Sequence, residues 1–159
     1  MKRFSVLRWL CAGVAGSLAF WSFQVLTGGA TITEFMGEQI VAEGGYPKEL
    51  APFIGWSVHL TVSCSYALLF AVLIAVLPIG SSGAIAAAGL VVAALLGWVT
   101  TLLTAPAIAV TISVLSGHGL PVELPGLNTE VGLPLYNHLL FFGVLWFVTT
   151  LVPAVRGKI

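Results

Sequence analysis

Charged residues are scarce in this chain of 159 residues: Lys, Arg, Asp and Glu make up only 8% of it, and every acid is a glutamate. Soluble domains carry about 25% charged residues, so a water-soluble globular protein is excluded. At 58% hydrophobic residues the chain is also unlike a disordered one. Its formal net charge is +0 and it has no run of Lys or Arg. No nucleic-acid partner is therefore expected.

Cysteine is nearly absent, and the two that occur, Cys11 and Cys64, lie within apolar runs. They form neither a disulfide framework nor a CxxC redox pair, and we interpret both as small core residues. No nucleophile stands beside a base in any readable motif, so an enzyme is the least favoured class of protein.

Apolar sequence, in contrast, is abundant, and the mean hydropathy is +1.07. The apolar runs are continuous rather than alternating, which favours membrane-spanning helices over a β-barrel. Four stretches reach the roughly 20 residues that cross a bilayer: 9–27, 53–77, 84–114 and 133–152. The first is too long for the apolar region of a secretory leader, and no small-residue cleavage site follows it. The sequence predicts one all-α transmembrane domain over residues 1–159, a four-helix bundle of two helical hairpins.

The charges predict an orientation, since Lys and Arg favour the cytoplasmic side of a membrane. Five of the six basic residues flank the first and last spans: Lys2, Arg3, Arg8, Arg156 and Lys158. All the acids lie in the loop after span one or the loop after span three: Glu34, Glu38, Glu43, Glu49, Glu123 and Glu130. Both termini are therefore expected in the cytoplasm and both of these loops outside. The expected location is the bacterial cytoplasmic (inner) membrane.

The first outer loop contains a helix signature. Thr31 and Glu34 have the spacing of a capping box, in which each side chain bonds the backbone of the other residue. Apolar residues follow at helical spacing, with Glu34 and Glu38 on another face. A short helix lying in the outer membrane interface is predicted here.

Span three carries a stripe of small and hydroxyl residues at spacings of four, three, four and three: Gly97, Thr101, Thr104, Ile108 and Thr111. Such a stripe lets helix backbones approach closely, so we expect it to face another helix. Ala12 and Gly16 predict a similar contact in span one.

Pro106 interrupts span three and leaves the Leu102 carbonyl without its usual donor, which nearby Thr hydroxyls would partly replace. We interpret the span as a kinked packing helix. The alternative is a hinge or substrate path lined by Thr100, Thr101 and Thr104.

Histidines are the only titratable groups that interrupt the predicted spans with a charge in the physiological range. His59 and His138 lie at similar depths, near the outer ends of spans two and four. His59, Ser63 and Tyr66 form a polar stripe at helical spacing, and Asn137 precedes His138. An ionisable residue at this depth is costly unless it is paired, which makes both histidines candidates for a functional site.

Three interpretations of the two histidines stay open. The simplest is that each is a neutral, hydrogen-bonded structural residue. The second is that they converge on a haem b iron or, with a loop glutamate or His118, on a transition metal. The third is a proton or solute path that continues to an outer-loop acid such as Glu123 or Glu130.

The second and fourth spans resemble those of small four-span bacterial inner-membrane proteins of uncharacterised function. The resemblance rests on the segment from His59 to Phe70, with its Tyr-x-Leu-Leu-Phe ending, and on Asn-His-Leu-Leu-Phe-Phe-Gly at 137–143. It implies the four-span fold and brings no activity with it.

The function expected first is that of a non-enzymatic membrane protein, an accessory or scaffold subunit whose partners are the bilayer and other membrane helices of its own or another chain. No cofactor is expected in that case. A small haem- or metal-binding protein using His59 and His138 is the first alternative. A small proton-coupled transporter is the second.

Overall fold

In the computed structural model, which describes residues 6–155, the chain is helical and that range contains no β-strand. Its elements are α1 (Val6–Leu26), α2 (Ile32–Gly44), α3 (Ala51–Val76), α4 (Ser82–Leu102), α5 (Thr104–Leu115) and α6 (Leu133–Trp146). A single 3-10 turn, Lys48–Leu50, precedes α3. A π-helical turn, Phe147–Leu151, continues α6 into the short α7 (Val152–Val155).

Four helical segments are long and apolar enough to span a membrane: Val6–Leu26, Lys48–Val76, Ser82–Leu102 and Leu133–Leu151. The protein thus has the composition and helix lengths of a multi-pass membrane protein. Of the basic residues used to predict its orientation, Lys2, Arg3, Arg156 and Lys158 lie outside the described residues.

Helix α1 packs against both α3 and α6, and α6 packs in turn against α4. The buried face of α1 includes Trp9, Ala12 and Phe20. Cys11 is exposed on the other side of α1, so its interpretation as a core residue is wrong; Cys64 is half-buried. Helices α3 and α4 follow each other directly but touch only sparsely. They are a less tightly packed pair than the short connection between them suggests.

Four of the predicted packing residues lie where helices approach each other within the chain: Ala12, Gly16, Gly97 and Thr101. A methyl group added at Gly16 would come within 2.8 Å of the Phe141 ring, and one at Gly97 would lie 3.2 Å from Leu139 Cα. Ala12 is buried, and Thr101 is 2% exposed. Both sets of residues face a neighbouring helix, and for Gly16 and Gly97 that helix is α6.

The capping box at the start of α2 is confirmed. The Thr31 hydroxyl accepts a hydrogen bond from the Glu34 N–H at 3.2 Å, and the Thr31 N–H donates to the Glu34 carboxylate at 3.0 Å. This backbone bond, together with a bond from the Thr31 hydroxyl, lowers the pKa of the Glu34 carboxyl below its ordinary value. At the other end, Gly45 adopts a left-handed conformation and closes the helix.

The third predicted span, 84–114, is divided in two by the structure. Helix α4 ends at Leu102, and Leu103 (φ −86°, ψ −2°) separates it from α5, which begins at the next residue. Beyond the break α5 packs against α2. The small-residue stripe is therefore split, since Gly97 and Thr101 lie on α4 while Thr104 and Thr111 lie on α5.

Pro106 accounts for the break, because proline has no N–H to give the Leu102 carbonyl. That carbonyl accepts instead from the backbone N–H of Asn128, at 3.0 Å. The predicted replacement by threonine hydroxyls is wrong, because Thr100, Thr101 and Thr104 donate to other carbonyls of the preceding turn. The segment after α5 thus folds back to the end of α4 and holds the break in place.

A second proline produces a matching arrangement at the opposite end of the molecule. Pro153 cannot supply the N–H that the Thr149 carbonyl would accept in a regular α-helix. The Arg8 guanidinium donates to this carbonyl at 2.5 Å. The bond ties the first helix to the last, beside the π-helical turn.

We expect Arg8→Met to destabilise the protein by about 1 kcal/mol, because it leaves the Thr149 carbonyl without this charged donor. In a Pro153→Ala background the new N–H can serve the carbonyl, so the same substitution is expected to cost less. Unfolding of the unmodified protein, the two single variants and the double variant in mixed detergent micelles measures the coupling as a double-mutant cycle. Equal costs in both backgrounds would contradict the role assigned to Pro153.

Candidate functional site

A cavity of about 370 Å³ lies among α1, α3, α4 and α6 at the end of the molecule away from the described chain ends. We call this the capped end, because α2 and α5 contribute Ile32, Met36, Ala107 and Ile108 to the cavity wall there. The volume falls within the range of small-molecule sites.

The cavity brings together most of the residues that the sequence predicted as a site. Its polar lining comprises Gln24, Thr27, His59, Ser63, Tyr66, Thr100, Thr104, Thr111, Asn137 and His138. The predicted packing residues Ala12, Gly16, Gly97 and Thr101 do not line it. The remaining wall is apolar, with aromatic rings from Phe20 and Phe141. No carboxylate is among the lining residues.

The two histidines approach the cavity from different helices and meet at the same ring. Their imidazole centroids lie 5.3 Å (His59) and 5.5 Å (His138) from that of Phe20. The two imidazole centres are therefore no more than about 11 Å apart. The sequence placed them at a common depth but contained no signal for Phe20, which is one of nine phenylalanines.

Each imidazole bonds a backbone carbonyl through one nitrogen. His59 Nε2 lies 3.3 Å from the Ser17 carbonyl oxygen, and His138 Nδ1 lies 2.7 Å from that of Pro134. A carbonyl oxygen can only accept, so in the neutral imidazoles these nitrogens carry the hydrogen. The other nitrogens, Nδ1 of His59 and Nε2 of His138, are lone-pair acceptors. They have no hydrogen-bond partner within residues 6–155.

Asn137 adds another unpartnered group. Its side chain is 3% exposed, and its Oδ1 is buried without a hydrogen bond in the described part of the chain. A buried acceptor that lacks a partner is destabilising by about 1–3 kcal/mol, so such atoms need an explanation. Asn137 is among the residues that line the cavity.

The hydroxyl groups of the lining are of two kinds. Those of Thr100, Thr104 and Thr111 donate to the carbonyl four residues earlier in the chain and act toward the cavity only as acceptors. Those of Ser63 and Tyr66 bond no group between residues 6 and 155 and can donate or accept. The predicted stripe of His59, Ser63 and Tyr66 therefore faces the cavity.

The arrangement bears on the haem and metal alternatives. Phe20 packs beside both imidazoles, with ring centroids 5.3 Å from His59 and 5.5 Å from His138. Within residues 6–155 no group of three or more His, Cys, Asp or Glu side chains lies close enough together to hold a metal ion. His118 bonds Ser116 in the segment after α5 and does not line the cavity.

Comparisons of the chain with protein families, with curated proteins and with solved structures found no match.

Proposed function

We propose that this chain is a non-enzymatic, multi-pass protein of the bacterial cytoplasmic membrane whose cavity binds a small, neutral, lipid-soluble molecule. The observation that carries the proposal is the composition of the cavity. Apolar and aromatic walls surround a few polar atoms that have no partner in the described chain, which is typical of small-molecule sites.

In the topology we propose, the four long helices cross the bilayer as two hairpins in one bundle, with both termini in the cytoplasm. The six glutamates belong to the two loop regions at the capped end, and five of the six basic residues lie near the termini, which supports this orientation. The cavity would then lie in the outer half of the membrane, with α2 in the outer interface.

The absence of acids from the lining supports a neutral ligand. A bound cation would find no carboxylate, and an anion would find no Lys or Arg among the lining residues. For the same reason a proton-coupled transporter is less well supported. Its path would begin at two histidines at one end of the molecule and meet no acid along the cavity.

An accessory or scaffold role stays a prediction. It uses the stripe of Gly97, Thr101 and Thr104 and the absence of a charged site within the spans. Gly16 and Gly97 contact α6 of the same chain, and Ala12 and Thr101 are buried within the chain. These four residues pack within the chain and do not themselves indicate a partner helix from another chain.

A photoreactive probe tests the proposal directly. We expect a neutral alkylbenzene that carries a diazirine to label the cavity lining saturably in the purified, nanodisc-embedded chain, with adducts located by mass spectrometry. Ser63→Leu fills the cavity and is expected to reduce this labelling at least fivefold. Thr104→Leu, from the opposite wall, is expected to act in the same direction.

Ser65→Leu is the matched control. Ser65 lies two residues further along α3, is exposed, and does not line the cavity. We expect it to leave the labelling unchanged. Labelling of the lining that never saturates and is insensitive to both cavity-filling variants would show that the cavity is not a binding site.

A further inference from the structure

We propose that the ligand is a quinol, an aromatic ring that carries two hydroxyl groups and an isoprenoid tail, and that the cavity prefers it to the oxidised quinone. The inference rests on the proposed binding function and adds the chemical class of the ligand. The lining residues have hydrogen-bond acceptors and donors without partners in the described chain, and these determine which ligand groups fit.

Three atoms of the lining residues can only accept a hydrogen bond. His59 Nδ1 and His138 Nε2 present lone pairs, because the other nitrogen of each ring donates to a carbonyl. Asn137 Oδ1 is a third such atom, buried and unpartnered. A ligand that satisfies these positions must bring O–H or N–H donors. A quinone carbonyl would place lone pair against lone pair.

Other groups of the lining can donate a hydrogen bond. The Ser63 and Tyr66 hydroxyls and the Asn137 amide can each give a hydrogen bond to the cavity. A ligand hydroxyl donates and accepts at once, so it matches this mixed set. An amine that gains a proton does not match it, since the lining offers no carboxylate.

The shape of the cavity suits a flat aromatic ring. Phe20, Tyr66 and Phe141 give the cavity aromatic walls, against which a flat ring packs edge-on or offset. A para-diol ring with a hydrogen bond of about 2.8 Å at each end reaches acceptors about 11 Å apart. The imidazole centres are at most about 11 Å apart, so one such ring is long enough to contact both.

The isoprenoid tail of the ligand can leave the cavity between α3 and α4. Helices α3 and α4 both line the cavity yet touch only sparsely, so few contacts close the wall between them. Val62, on α3 beside the cavity, is 39% exposed. An isoprenoid chain leaving through this gap enters the surrounding hydrocarbon and need not be buried by the protein.

Competition with the photoreactive probe tests the assignment. Three competitors share one ring and one isoprenoid unit: the hydroquinone, kept reduced under argon, the corresponding quinone, and the dimethyl ether of the hydroquinone. We expect the hydroquinone to protect the lining at a concentration at least tenfold lower than either of the others. Preference for the quinone or the ether, or equal protection by all three, would overturn the quinol assignment.

Histidine variants locate the preference. The preference is measured as the protecting concentration of the ether divided by that of the hydroquinone. His138→Phe and His59→Phe are expected to reduce this ratio toward one. His138→Gln keeps an acceptor near the Nε2 position and His59→Asn keeps one near Nδ1, so both are expected to retain much of the preference. A full preference in both phenylalanine variants, folded as judged by circular dichroism, would overturn the role of the imidazoles.

The two proposals fail in different ways. If the probe labels the cavity saturably but the three competitors are equivalent, the binding function stands and the quinol assignment is wrong. If the probe itself shows no saturable labelling, the binding function is wrong and the quinol assignment with it.

Discussion

Replacing Gly55 by alanine is expected to destabilise the protein by about 3 kcal/mol or more, through the contact of α2 with α3. A Cβ atom at Gly55 would overlap the backbone carbonyl of Thr33, and one at Gly37 would overlap the carbonyl of Ala51. Backbone atoms cannot move aside as a flexible side chain can. The two helices can pack this closely only with glycine at both positions.

Unfolding in mixed detergent micelles, followed by circular dichroism, measures the effect. Gly143→Ala on α6 is the matched control, since a Cβ there would meet no atom within 4 Å. We expect it to leave the stability unchanged or raise it slightly. Gly37→Ala should resemble Gly55→Ala. Wild-type stability of both Gly37→Ala and Gly55→Ala would show that α2 is not packed on α3 in this way.

Asn128→Pro is expected to destabilise the capped end by about 2 kcal/mol, because it removes the N–H that serves the Leu102 carbonyl. A proline nitrogen carries no hydrogen. The Leu102 carbonyl then loses the Asn128 N–H that takes the place of the missing Pro106 N–H. We expect α5 to lose its fixed position over the cavity, and saturable labelling by the photoreactive probe to fall at least threefold.

Asn128→Ala separates the backbone bond from the side-chain bond. The Asn128 side chain accepts from the Glu130 N–H at 3.1 Å, and alanine removes only this contact. Its N–H still reaches the Leu102 carbonyl. We therefore expect Asn128→Ala to behave nearly as the unmodified protein in unfolding and labelling. Equal losses in the alanine and proline variants would assign the effect to the side chain instead.

Local sequence signals predicted the local features of the fold. Thr31 and Glu34 lie in one helical turn, so their spacing alone was sufficient to predict the capping box. Continuous apolar runs predicted four helices of spanning length for the same reason. Pro106 was also a visible signal, but the stripe from Gly97 to Thr111 favoured a continuous helix. The donor that stabilises the break, Asn128, lies too far along the chain for any periodicity to indicate it.

The candidate site was predictable in its polar members and not in its geometry. His59, Ser63, Tyr66, Asn137 and His138 stand out because polar groups are costly within apolar helices. Phe20 does not stand out, since an apolar ring in an apolar helix carries no such signal. The closure of the cavity by α5 depends on the direction the chain takes after Leu103. That direction is set by tertiary contacts with α2.

The bonds from Asn128 to Leu102 and from Arg8 to Thr149 each join a helix end to a residue from a distant part of the chain. During synthesis, the Leu102 carbonyl must wait for a partner that follows 26 residues later, and Arg8 for one that follows 141 residues later. Neither bond can form before its later partner has been made. Completion of the cavity wall is therefore a late step of synthesis, and nascent chains arrested before residue 128 should have the cavity open at the capped end.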